Sequence, residues 1–422
     1  MRVLFFLRGF PRASETFVLD QITGLIDRGV DVGVVSLRPG ETEGVTHGEV
    51  EAYGLIERTL YLGSGEGRLG GRSIGWSPGN VAWGLWAGRA WRYGNKAVNG
   101  ALQGMSRAWR DAAAGPGGER WGRPDVVLAH FGQAGDIAAC LRELGAFSAP
   151  IATVMHGVDV SEPLLAGKPL YPRLKRSGEL ILPISRRWAS AFLDQGFEPS
   201  RVVVHRVGVT VPEAKASTPP PYGPGETLRL MTVCRLVEKK GTAVTLDALA
   251  ELKRQGGPPF VFTIVGDGPL RASLERRVTK LGLDDEVTFT GGLPRDRVVE
   301  QYRVHHLFVL PSVTSSTGDQ EGVPTVLMEA MARGLVAVST LHSGIPELVE
   351  DGVGGRLVPE HDATALASAI RELAERPQDW PPMQRSARVK VEAEFEINKL
   401  NDRLATLLAD LAATGVRTGS IR

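Results

Sequence analysis

The second half of the chain alternates short apolar runs with amphipathic stretches, and few folds accept that pattern. The runs at 228–234, 260–265, 287–290, 307–311, 336–340 and 356–358 read as strands with helical stretches between them. Strands joined through helices run parallel, and a parallel sheet is covered on both faces. The first half follows the same rule less cleanly, with strands expected at 2–7, 32–37, 125–129, 151–155, 180–184 and 202–204. Ser14 and Glu15, just ahead of the apolar-periodic Phe17, Val18, Ile22, Leu25 and Ile26, predict a capped helix ending at Gly29. The fold class is α/β, and 422 residues suit two doubly wound domains. We expect domains at 1–212 and 227–383, joined by the Pro- and Gly-rich linker EAKASTPPPYGPGE at 213–226. An amphipathic segment at 384–422 should pack back on the first domain.

A net charge of +1 argues against nucleic acid as a partner. Cys140 and Cys234 have no metal-ligand spacing and suit a reducing cytosol. The opening MRVLFFLRGFPR has a short apolar run broken by Arg8, which reads as a strand and not as a signal peptide. No apolar run reaches the roughly 18 residues that span a membrane. One segment, 68–123, stands apart: it holds six of the eight tryptophans and nine Lys/Arg against two acids. On a helix, Trp83, Trp86 and Trp91 share one face and Arg89, Arg92 and Lys96 the other. Such a helix could lie on a membrane surface or guard an acceptor groove. It could equally pack its tryptophans on the first domain.

Chemistry-bearing residues collect where strands end. In EGVPTVLMEAMA at 321–332, where Gly322 and Val323 precede Pro324 and Thr325 follows it, Pro324 can begin a helix whose free amides favour an anion. Glu321 precedes that anion site and Glu329 follows it, so one acid can meet a sugar and the other a ribose. Arg235 and Lys240 emerge at the carboxyl end of a strand, where doubly wound sheets bind ligands. Two cations there can neutralise a diphosphate leaving group. Gly266, in Gly266-Asp267-Gly268-Pro269, follows another strand, where a glycine turn lets a ligand approach the backbone. It is not GxGxxG, and no P-loop occurs. In the first half, Arg8-Gly9-Phe10, His130 and His156 all follow predicted strands.

In combination, RxxxxKG at 235–241, GDGP at 266–269, GGLP at 291–294, EGVPTVLMEAMA at 321–332 and SGIPELVEDGVGG at 343–355 resemble the retaining family-4-type glycosyltransferases of the GT-B fold. FPRASETFVLDQI, HFG and HGVD look like the branch that builds exopolysaccharides such as colanic acid, and similar enzymes glycosylate natural products. The resemblance implies two Rossmann-like domains facing a deep cleft. It implies that Arg235 and Lys240 grip the donor diphosphate, that Glu321 binds the donor sugar and that Glu329 binds the ribose. The Val323–Thr325 backbone would face phosphate and sugar, and Gly292 and Leu293 the base. Gly9 would let the first loop close over the diphosphate. His156 would sit near the reaction centre, with Arg8, Phe10 and His130 toward the acceptor. The implied donor is a nucleotide sugar, UDP first and GDP next, used without a metal or other cofactor. The acceptor would be a glycan, a lipid-linked oligosaccharide or a small natural product, with peripheral membrane contact as one option. Cys234 departs from the glycine usual before the arginine, and Val209-Thr210 from a common Gly-Asp. Other readings are an epimerase or hydrolase on the same fold, or a non-catalytic partner that binds sugar nucleotides.

Overall fold

The computed structural model describes residues 1–12, 15–40, 48–62, 96–115, 118–177, 179–213, 219–223 and 225–414. They form two compact units. Unit 1 takes in Met1–Ile184, Trp188–His205 and the chain from Asn401; unit 2 takes in Ser185–Arg187 and Arg206–Leu400. Among the described residues no helix is long and apolar enough to cross a membrane.

Unit 1 holds a six-stranded sheet of β1 (Arg2–Leu7), β2 (Asp31–Ser36), β3 (Thr59–Tyr61), β4 (Val126–His130), β5 (Ile151–Met155) and β6 (Leu180–Pro183) in the order β3-β2-β1-β4-β5-β6. Every pairing is parallel. Unit 2 repeats the plan with β7 (Leu228–Val233), β8 (Phe260–Val265), β9 (Val287–Gly291), β10 (Leu307–Leu310), β11 (Val336–Thr340) and β12 (Gly355–Val358), ordered β12-β11-β10-β7-β8-β9. These pairings are parallel too. The near-continuous Val, Ile, Leu and Phe of these strands are buried because helices cover both faces. In each sheet the strand order reverses between the first and fourth strands, and that switch point is where doubly wound sheets open a crevice. The switch points lie at β1/β4 and at β7/β10.

Three local expectations differ. The short edge strand β3 carries too few residues to show a pattern. Residues 202–204 form no strand of their own but run beside β6, with Val203 N–H donating to Ile181 O at 3.0 Å and His205 N–H to Pro183 O at 2.9 Å. The first helix begins at Thr16 with Glu15 as its N-cap, and Ser14 lies outside the described residues.

The described part of the segment 384–422 is not one helix. Trp380–Glu394 and Ile397–Thr414 are separated where Phe395–Ile397 pairs with Val209, with hydrogen bonds of 2.9 and 3.0 Å. Val391 and Phe395 sit in the core of unit 2. From Asn401 the chain belongs to unit 1, where Asn401 Nδ2 donates to Asp20 O at 3.1 Å and Asp402 pairs with Arg28 at 2.7 Å.

Of the Trp-rich segment, Trp109 and Trp121 are described. Trp109 is buried on Phe6 and Phe147 and donates its indole N–H to Trp121 O at 3.0 Å, which is the packing reading. Trp76, Trp83, Trp86 and Trp91 lie outside the described residues.

Candidate active site

In unit 2 the switch point gathers charge. After β7 the chain turns through Cys234 and Arg235 into the short helix Glu238–Lys240, and Gly241 turns it again with φ +66°. A Cβ on Gly241 would lie 1.8 Å from the Pro311 carbonyl that follows β10, so only glycine lets the two switch-point loops meet. Lys239 O accepts from Val313 N at 2.9 Å and fixes the same junction. Arg235 is exposed, and among the described residues its side chain has no ion-pair or hydrogen-bond partner. Lys240 Nζ stands 3.0 Å from Glu321 Oε1. Sequence reasoning missed Lys239, whose Nζ stands 3.5 Å from that oxygen and 3.0 Å from Asp319 Oδ2. Its position beside a motif lysine was the available signal. Burial pushes the Glu321 carboxyl up, but Lys240 and then Lys239 outweigh it and hold it down to about 2.

The Glu321 peptide is fixed separately. Its N–H donates to His342 Nε2 at 3.0 Å, and its carbonyl accepts from Ser343 Oγ at 2.6 Å. The helix Thr325–Ala332 follows, with no side chain capping it. Pro324 proves to be the extended N-cap, ψ +122°, and Thr325 the first helical residue, so the helix starts one position later than expected while Thr325 still carries its first amide. Leu327, Ala330 and Met331 are buried and Val326 is half-buried. Glu329, one turn on, accepts from Tyr302 Oη at 3.1 Å.

The glycine turns have distinct roles. At Gly266, φ +129°, a Cβ would lie 1.9 Å from Cys234 O, and at Gly268 one would lie 2.6 Å from Leu236 O. The GDGP turn is therefore glycine-rich because the Arg235 loop packs on it. Gly292 differs: nothing lies within 4 Å of where its Cβ would stand, and it is exposed beside half-buried Leu293.

In unit 1, Arg8 and Gly9 follow β1, and His130 and Phe131 lie at the end of β4, at the other switch point. Arg8 bonds Gln133 Oε1 at 3.1 Å and lies 4.8 Å over the Phe131 ring. A Cβ on Gly9 would meet Arg12 and Arg38 only at 3.6–3.7 Å, so the packing does not itself demand glycine there. His156 Nε2 is 3.4 Å from His130 Nδ1, and its ring packs among Phe17 and Phe131. Asp159 receives the His156 backbone N–H at 2.9 Å. Burial, then Arg8, lowers His156 to about 3, so it is a neutral imidazole at physiological pH. Burial, with His156 and His205 beside it, drives His130 well below its usual value. Phe131 holds φ +73°, a strained backbone of the kind found at functional sites. Two expectations are corrected. His130 is wholly buried and Phe10 is 3% exposed in the core, so neither side chain can touch an acceptor. Among the described residues no group of three or more His, Cys, Asp or Glu is placed to hold a metal ion.

The family of Glycosyl transferases group 1 matches residues 222–390. Over 97% of this chain and 99% of its own, WcaL of Salmonella typhimurium, named for colanic acid biosynthesis, is 40% identical. The chain belongs to the group 1 glycosyltransferases. AmsK of Erwinia amylovora, an amylovoran biosynthesis glycosyltransferase, is 38% identical to this glycosyltransferase over 98% of the chain and 100% of its own. Among solved structures, Alr3699/HepE of Anabaena in complex with UDP matches with a TM-score of 0.70 at 20% identity, covering 97% of this glycosyltransferase and 100% of HepE. HepE has also been solved with UDP-glucose. The likeness of architecture establishes the GT-B fold.

Proposed function

We propose that this glycosyltransferase moves a sugar from a nucleoside diphosphate donor, UDP first, to a hydroxyl of a growing exopolysaccharide or its lipid-linked precursor, with retention at the anomeric carbon. The observation that carries the reading is the charge arrangement after β7 and β10. Lys240 and Lys239 converge on Glu321, beside an exposed Arg235 and an uncapped helix start. Cations and free amides suit a diphosphate, and a carboxylate suits sugar hydroxyls. The names of WcaL and AmsK support the polysaccharide class, and the HepE complexes support UDP.

In the reaction the acceptor oxygen bonds the anomeric carbon on the face that the diphosphate leaves, and the departing phosphate oxygen takes the acceptor proton. Arg235, Lys240 and the helix amides stabilise the charge that grows on that oxygen. These cations serve where other enzymes use a metal, so chelation should leave the rate unchanged. Glu329, with Tyr302 behind it, would bond the ribose, and Gly292 and Leu293 would lie against the base. Neutral His156 can bond a hydroxyl but cannot act as an acid. Cys140 and Cys234 are free and buried, which suits a cytosolic reaction.

The test is incubation with UDP-glucose, UDP-galactose or GDP-mannose and lipid-linked acceptor extracts, read by mass spectrometry. One added hexose per product, lost in Arg235→Ala/Lys240→Ala with the fold intact, supports the reading. A folded double variant that transfers at the wild-type rate refutes it.

A further inference from the structure

We propose that His342 is a positioning residue for the donor site, acting on the peptide of Glu321 and not on its side chain. The proposal deepens the reading of unit 2 as a nucleotide-sugar site and rests on it. Three successive residues after β11 grip the Glu321 segment. His342 Nε2 accepts the Glu321 N–H at 3.0 Å, Ser343 Oγ donates to the Glu321 carbonyl at 2.6 Å, and Gly344 N–H donates to Gly322 O at 3.2 Å. Ser343 holds φ +46° to do so.

The ring of His342 is fully buried and has one usable tautomer. Because Nε2 accepts, Nδ1 carries the hydrogen, and it donates that hydrogen to Glu360 Oε1 at 2.7 Å. The other oxygen of Glu360, on the loop after β12, accepts Thr314 N–H at 2.6 Å. One carboxylate thus orients the imidazole and ties down the loop after β10, through which the chain reaches Glu321.

The need for a peptide anchor follows from the side-chain contacts. The carboxylate of Glu321 is held by Lys240 and Lys239. A bound diphosphate competes for Lys240 and leaves the carboxylate to the more distant Lys239 at the moment it must meet the sugar. The hydrogen bonds from His342 and Ser343 do not depend on that lysine and persist.

The experiment compares the full-length wild type with His342→Ala and His342→Gln by titration calorimetry, using UDP-glucose against UDP and GDP-mannose against GDP. Removing the acceptor leaves a buried N–H unpaired, and we expect His342→Ala to weaken the nucleotide sugar about tenfold. The nucleotide alone should stay within about twofold. Gln, whose Oε1 can stand in for Nε2, should recover to within about threefold of wild type. Equal weakening of sugar nucleotide and nucleotide, with Gln no better than Ala, would mean a merely structural role and overturns the proposal. Hydrogen exchange gives a readout without ligand. The Glu321 amide should exchange at least about tenfold faster in His342→Ala while β7 amides are unchanged, and no change at Glu321 overturns the proposal. If the wild type binds neither pair, the donor reading fails, and the exchange result still decides the positioning claim.

Discussion

Glu321 carries a buried negative charge shared by two lysines, and that redundancy has a measurable size. The Nζ atoms of Lys240 and Lys239 lie 3.0 and 3.5 Å from Oε1. Coulomb attraction falls as inverse distance, so the farther lysine keeps 3.0/3.5, or about 0.86, of the nearer one's pull. Lys240→Met should therefore leave the carboxylate paired and cost about 1 kcal/mol, whereas Lys239→Met/Lys240→Met strands a buried charge and should cost about 3–5 kcal/mol. With about 1 kcal/mol for each single, the double variant should exceed their sum by about 1–3 kcal/mol, the mark of a shared partner. Adding Glu321→Gln to the double variant should restore most of the loss, because an amide needs no counter-ion. The assay is hydrogen exchange of β7 and β10 amides across a urea series, which reads unit 2 alone. Additivity within about 0.5 kcal/mol, or no recovery with Gln, would refute the sharing. The same pairing sets an acid limit. The folded carboxyl, held at about 2, lies below its ordinary 4.5. Its stabilisation is complete above about pH 4.5 and is lost as pH falls toward 2.

Gly241→Ala should cost at least about 2 kcal/mol and abolish donor binding in calorimetry, since its Cβ would collide with Pro311 O at a positive φ. His205 is buried with both ring nitrogens unpaired, and burial, then Arg403, lowers it to about 3. The unfolded chain binds a proton there below about pH 6.5 and the folded chain does not, so stability should fall with acidity by up to about 1.4 kcal/mol per pH unit. His205→Leu should remove one proton equivalent from that slope in urea titrations between pH 4 and 6.5, roughly, and an unchanged slope would contradict it. Glu347 accepts the Arg186 and Arg187 amides at 3.0 Å each and the Arg206 guanidinium at 2.8 Å. Glu347→Gln should cost about 1.5–3 kcal/mol and speed exchange of those two amides.

Strands of both sheets were legible because buried parallel strands are apolar throughout, and the unit 2 strands were placed to within a residue or so at each end. Residues 202–204 read as a strand for the same apolar reason, and nothing local told that their partner covers one edge only. Arg235, Lys240, Glu321 and Glu329 were legible as chemistry because they follow strand ends or sit on one amphipathic helix. The anchors behind them were not. His342 and Glu360 are 18 residues apart and meet through the ends of β11 and β12, a relation that sheet order creates. His130 and Phe10 were misjudged because sequence places a residue at a strand's end without saying how deep its side chain lies. Gly266 was read as room for a ligand, while its constraint comes from the carbonyl of Cys234.

The membership of residues beyond Asn401 in unit 1 bears on how the chain is born. A ribosome delivers the whole of 206–400 before it delivers the helix that covers Asp20, Gly24 and Arg28. Domains fold as units, commonly the amino-terminal one first during synthesis. Here the order is inverted: the nascent unit 2 can close while the earlier-made unit waits with its first helix uncovered. A chaperone that shields that helix during translation would matter more for this chain than for one whose halves are each contiguous.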